Sequence, residues 1–214
     1  PMLIEHGATS LCAESGNNWG LHGRGYYVAN RLMWDPDTDV DALLADFYEK
    51  AFGPGAEAMR RYYERLDPGN GPLLSEHLLG LAWRDVAEAT RLAADLPDVL
   101  ARLRHIKIYL RFVHLRWMFD HTGDDAARKD LAREIITHVY RTRYTYMNHW
   151  EAVRQKWTRD MAKKFDEPTW TGPEAPWIDA QPYTPQQVEA FFEEGLEYFQ
   201  PQEVAEKDFS DDLV

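Results

Sequence analysis

Cysteine, basic charge and long apolar runs are what this sequence has least of. Its 214 residues include one cysteine, Cys12, which excludes an intrachain disulfide, and no Cys/His spacing suits a zinc site. No apolar stretch approaches the ~20 residues that a membrane-crossing helix needs. The start of the chain also lacks the charged, apolar and small-residue succession of a signal peptide. A soluble chain with no membrane partner is expected, and a secreted or periplasmic parent is compatible with these features. Lys and Arg number 24 against 36 Asp and Glu, a formal charge of −12 that repels a phosphate backbone, so nucleic acid is not expected as a partner. The locally basic run from Arg128 to Arg159 alternates with Ile135, Ile136, Val139 and Tyr140 and reads as the solvated face of a long helix.

The common catalytic words are missing too. There is no Gly-x-Ser-x-Gly elbow and no phosphate-cradling Walker loop. Gly20-x-x-Gly23-x-Gly25 lacks both the spacing and the βαβ setting of a dinucleotide loop. His77, His105, His114, His121, His138 and His149 are scattered, with no i, i+4 pair and no His-Glu-x-x-His, so each reads as a solvated or core-satisfied imidazole. No metal and no cofactor is expected.

What remains is a chain of helical periods punctuated by capping signals. Its opening reads as the last turn of a helix closing on Gly7, followed by a short buried strand, Thr9 to Ala13, and a glycine- and asparagine-rich loop from Glu14 to Gly25. An opening in mid-element implies a piece cut from a longer protein. Helices are then expected from Tyr26 to Trp34, from an Asp39 cap to Gly53-Pro54, and from Ala56 to Leu66. They continue from Leu73 to Leu96, from Asp98 to His121, and from Asp124 or Asp125 towards Lys164, with a kink or break near Tyr146 to His149. Thr184-Pro185-Gln186-Gln187 has the form of a capping box with proline at the first helical position. Phe165 to Tyr183 reads as a long ordered loop. The seam between the two longest helices is expected to bury Leu103, Ile106, Leu110 and Val113 against Ile135, Val139 and Tyr140.

The loop holds the candidate site. Glu14 follows a strand, where a barrel enzyme places a catalytic or sugar-binding carboxylate; it could equally cap the next helix or pair with Arg24 or Arg31. Trp19 lies between Asn18 and Gly20, a flat ring beside an amide, as suits the apolar face and hydroxyl rim of a sugar; it could equally close one end of a core. Asn17 and His22 complete the set of candidate substrate contacts.

Several words of the sequence are recognisable together: Glu14-Ser15-Gly16-Asn17-Asn18-Trp19-Gly20, then Gly25-Tyr26-Tyr27-Val28-Ala29-Asn30-Arg31-Leu32-Met33-Trp34-Asp35-Pro36, and Phe52-Gly53-Pro54-Gly55-Ala56 before Met59-Arg60-Arg61-Tyr62-Tyr63. They resemble the DUF4838 family of glycoside hydrolase-like proteins, densely over residues 8–66. The resemblance implies that Thr9 to Ala13 is a late strand of a TIM-type barrel whose remainder lies upstream. Residues 1–25 would then close the barrel, 26–200 would form the helical region after it, and 201–214 would lead towards another domain. The expected fold class is mainly α, a helical bundle after a strand–loop remnant of a barrel. The expected function is one wall of a bacterial, carbohydrate-active enzyme, with Glu14 as the candidate catalytic group and an oligosaccharide or polysaccharide as partner. The rival is a non-catalytic helical structural or interaction domain. Most glycosidases need two carboxyl groups flanking the bond, and only Glu14 falls at a strand end, so the chain alone is expected to be inactive.

Overall fold

The computed structural model describes residues 5–10, 12, 16–66, 74–156 and 179–201. Within them the chain is helical: α1 (Trp19–Trp34), α2 (Val40–Phe52), a 3₁₀ turn (Gly53–Gly55), α3 (Ala56–Arg65), α4 (Glu76–Leu92), α5 (Pro97–His121), α6 (Asp125–Arg141), a second 3₁₀ turn (Arg143–Thr145), α7 over 150–156, and α8 (Pro185–Tyr198). No described helix is long and apolar enough to cross a membrane. Thr9, Ser10 and Cys12 carry no strand assignment. A strand exists only by pairing, and no second extended segment is described. Phe165 to Trp177 and the acidic tail lie outside the described residues.

Most helix boundaries follow from local chemistry. Asp39 accepts from the Ala42 amide at 3.1 Å, and Gly53, at φ 52°, stops α2. Asp124 accepts from both Ala126 and Ala127. The Thr184 hydroxyl accepts from the Gln187 amide while the Gln187 side chain accepts from the Thr184 amide, a closed capping box with Pro185 at the first helical position. Gly7 takes φ 82° after the helical Glu5, closing the opening turn as the sequence suggests.

Three boundaries differ from the sequence reading. The helix expected from Tyr26 begins at Trp19, so Gly20, Gly23 and Gly25 lie inside α1 and the expected loop ends at Asn18. The helix expected from Leu73 begins at Glu76, because the Ser75 hydroxyl accepts from the Leu78 amide and fixes the start there. The long helix from Asp125 breaks after Arg141. There the Thr142 hydroxyl donates to the His138 carbonyl and Arg143 to the Tyr140 carbonyl, satisfying the end of α6, before Tyr146 turns left-handed at φ 56°. The kink or break expected near Tyr146 to His149 is a break that begins earlier, after Arg141, and α7 starts anew at residue 150.

Helix α5 is the hub, packing against α1, α2, α4, α6 and α8. Its expected seam with α6 is misassigned. Leu103, Ile106 and Leu110 join the main core with Tyr62, Leu79, Trp83 and Phe199. Ile135, Ile136 and Tyr140 instead pack with Leu115, Phe112 and Phe119 from the last turns of α5. A 25-residue helix surrounded by neighbours is apolar on several faces, so its period does not say which stripe meets which partner.

Helix α8 closes the bundle. Val188 and Phe191 pack on Ile108, and Phe199 lies 4.9 Å from the Trp83 ring. Gly80 and Gly195 allow the close approach, since a Cβ on Gly195 would come within 2.4 Å of Trp83 Nε1. Charge frames the contact. The buried Lys107 ammonium donates to Glu189, and Arg111 reaches both Glu194 at 2.9 Å and Glu134 at 2.6 Å.

Candidate functional site

The candidate residues gather around the first turn of α1. Trp19 and Gly20 would ordinarily leave their amides unpaired at a helix start. Here Trp19 N donates to the Tyr146 carbonyl at 2.9 Å and Gly20 N to the Met147 carbonyl at 3.1 Å. The segment between α6 and α7 therefore caps α1, a task that Asn18 does not perform with its own side chain although it holds the N-cap position.

Asn18 is instead bound sideways. Its Oδ1 accepts from the Tyr26 hydroxyl at 2.6 Å, and that hydroxyl in turn accepts a longer bond from Gly16 N at 3.4 Å. Tyr26 thus anchors both ends of the Gly16–Asn18 turn from two helical turns away. The His149 ring approaches from the other side, so that a Cβ on Gly16 would meet its Cδ2 at 3.0 Å. Among the described residues no acceptor is bonded to the amide nitrogen of Asn18.

Trp19 stands with its ring 5.4 Å from that of Tyr26, edge to face, and remains 45% exposed. This contact combines the two readings of the sequence, since the ring is braced from one side without being enclosed. His22 is half-buried, its ring 5.9 Å from Tyr26, and Asn17 is exposed in a bend. The structure thus brings Asn18, Trp19 and His22 around one tyrosine and leaves Asn17 at the margin. Glu14 lies outside the described residues.

Beneath these groups the floor is rigid. A Cβ on Gly20 would lie 2.3 Å from the ring of Tyr109 on α5. Arg24, one turn on, donates to the Tyr48 hydroxyl at 3.1 Å and lies over the Tyr63 ring. Burial raises the Tyr48 phenol, with Arg24 opposing, and burial raises Tyr109 as well. Both therefore stay protonated and serve as packing, with no general base among them.

Sequence reasoning missed Tyr26 as the anchor, Tyr109 as the floor, and Tyr146 to His149 as the cap. The first carried no signal beyond its helical position. The second is foreshadowed by Gly20, whose lack of a side chain serves close approach, although it reads as loop flexibility. The third is the place where the helical period fails.

The histidines elsewhere are structural. His138 is fully buried, its Nε2 donating to the Ile108 carbonyl at 3.0 Å and its Nδ1 facing the Tyr183 hydroxyl at 3.3 Å. His121 stacks on Trp117 at 3.7 Å.

Residues 2–65 match a family described as a domain of unknown function, DUF4838. The match therefore takes in the candidate loop and α1 to α3, whereas Tyr109 and the capping segment lie beyond it. No curated protein and no solved structure matches the chain.

Proposed function

We propose, from a chain whose residues 2–65 are DUF4838-like, that this region forms one wall of a carbohydrate-binding site in a larger glycoside hydrolase-like protein. The observation that carries the reading is Trp19, half-exposed and braced edge-on by Tyr26, beside an Asn18 amide whose oxygen is fixed and whose nitrogen faces no described acceptor. An indole held in place covers the apolar face of a pyranose with little loss of side-chain freedom, and an adjacent amide orients a hydroxyl. Glu14, four residues before Asn18, would supply a carboxylate as acid, base or hydroxyl acceptor. Its partner carboxylate would come from outside this chain, as the paired-carboxyl chemistry of glycosidases requires.

The test is calorimetric titration of the intact parent with a binding oligosaccharide, comparing wild type with Trp19→Ala and Glu14→Gln after circular dichroism shows each to be folded. A loss of affinity of tenfold or more in Trp19→Ala is expected. Unchanged affinity and turnover in both variants would leave the loop a structural joint.

A second reading, a helical interaction domain without chemistry, is favoured by the far end of α1, where Met33 is 44% and Trp34 89% exposed. A large apolar pair so exposed suits a protein contact. It is separated from the sugar reading by whether Trp34→Ala alters assembly and leaves glycan affinity intact.

A further inference from the structure

We infer that Tyr146, contributed by a part of the chain far from the DUF4838-like segment, is a second stacking ring of the same carbohydrate platform. The inference rests on the carbohydrate reading above and adds a residue and a segment to it.

Tyr146 is joined to Trp19 directly, its carbonyl accepting the Trp19 amide at 2.9 Å, so the two residues meet at one backbone joint. Both rings are open to solvent, Trp19 at 45% and Tyr146 at 52%. Tyr146 also holds φ 56°, and no other non-glycine residue among those described has positive φ. An L-residue there is strained relative to ordinary backbone, and glycine or asparagine would relieve it. A bulky aromatic that is strained and half-exposed gains the fold little, so its ring is accounted for by what it meets outside the fold.

The neighbouring residues are immobilised in the same way. The guanidinium of Arg143 lies between two rings, 3.9 Å from the centre of Tyr140 and 4.2 Å from that of Tyr144, and donates to the Tyr144 hydroxyl at 3.0 Å. Tyr144, 71% exposed, is thus held out into solvent and kept from turning inward. Exposed rings fixed in advance, with polar groups among them, present contact area at low entropic cost to a ligand carrying both C–H faces and hydroxyls. Two rings set across a joint extend the platform of Trp19 from one sugar unit towards two.

The experiment screens the intact parent on a microarray of plant, fungal and bacterial glycans, then titrates the strongest array ligand against the parent as wild type and with Trp19→Ala, Tyr146→Gly, Tyr146→Asn and Tyr146→Phe. Thermal unfolding is measured in parallel. The expected result is tenfold or greater loss of affinity in Tyr146→Gly and Tyr146→Asn, with a midpoint equal to or above wild type, and affinity within threefold of wild type in Tyr146→Phe. Should Tyr146→Gly not fold, Tyr146→Asn, at ease with positive φ, gives the same reading. Affinity within twofold of wild type in the Gly and Asn variants, while Trp19→Ala loses binding, overturns the inference and leaves the carbohydrate reading standing. Wild-type protein that binds no glycan on the array overturns both.

Discussion

Gly20 and Tyr109 are packed so closely that, where the helix carrying the candidate site meets the central helix of the bundle, the Tyr109 ring occupies the space a side chain at position 20 would need. An added methyl group would strike the ring at 2.3 Å and the Met147 carbonyl at 2.7 Å, and the carbonyl belongs to backbone that caps the same helix. Gly20→Ala is expected to destabilise the protein by about 1–3 kcal/mol, as overpacking does. Gly25, on the same helix with nothing within 4 Å, gives the control. Gly25→Ala is expected to be neutral or to stabilise by up to about 1 kcal/mol, since alanine is the better helix former. Urea denaturation of the two variants reads both signs.

Leu110 and Ile135 lie in separate apolar clusters. Leu110→Ala should cost about 2–5 kcal/mol. Because the two side chains share no cluster, the double variant with Ile135→Val should equal the sum of the singles to within about 0.5 kcal/mol. The pair Leu115→Ala and Ile135→Val, within one cluster, should deviate further. A coupling between Leu110 and Ile135 above that level would restore the seam that the sequence suggests.

Asp85 is buried and joins Arg61 Nε at 3.0 Å and Arg65 Nε at 2.7 Å, tying α3 to α4. Asparagine there keeps one acceptor oxygen but loses the charge and turns an amide donor towards a guanidinium, while Arg61 keeps its bond to Glu88 at 2.7 Å. Both guanidinium groups are partly solvated, so the loss should fall below the roughly 3–5 kcal/mol of a fully buried pair. Asp85→Asn is expected to cost about 2 kcal/mol, read as a lowered urea midpoint with unchanged slope.

Two buried imidazoles set an acid limit. Burial, with Arg111 and Arg141 nearby, pushes His138 down to about 3, against the pull of its bond to the Ile108 carbonyl. Burial, then Arg111, pushes His114 down to about 4, with Glu194 opposing. In the unfolded chain both take a proton near pH 6.5. Below that value the unfolded state binds protons that the native state refuses, so this contribution to stability is intact above about pH 6.5 and is lost as pH falls towards 4 and 3. Each group contributes a slope approaching about 1.4 kcal/mol per pH unit within the window. His138→Gln should remove about half of that paired slope between roughly pH 6 and 4.5, measured as the difference from wild type in urea titrations at each pH.

Much of the fold was legible because its boundaries are written in adjacent residues. The Asp39 and Thr184 caps and the Gly53 stop are local events, and reading them needed no partner. The seam of α5 was not legible, because Leu110 and Leu115 look alike in sequence and differ only in which neighbour the bundle places over them. The start of α1 was misread for a related reason. Gly20, Gly23 and Gly25 suggest backbone freedom, whereas Gly20 is small because Tyr109, 89 positions later, occupies the space. At the candidate site, the sequence singled out Asn18, Trp19 and His22, which the fold brings around Tyr26. It gave no sign of the Tyr26 bond to Asn18 or of the Tyr146 carbonyl at the Trp19 amide, both of which arise from how the chain folds back on itself.

The closure of the bundle by α8 also orders events in time during synthesis. Arg84 bonds the Phe199 carbonyl 115 residues later, and the slot at Trp83 that receives Gly195 and Phe199 is complete only when that stretch has been made. At roughly 5–20 residues per second, that interval is on the order of ten seconds. Through it the nascent chain carries an indole and its apolar surround open to whatever else is near. A chaperone that grips such surfaces would find its target on α4, and would be displaced by α8.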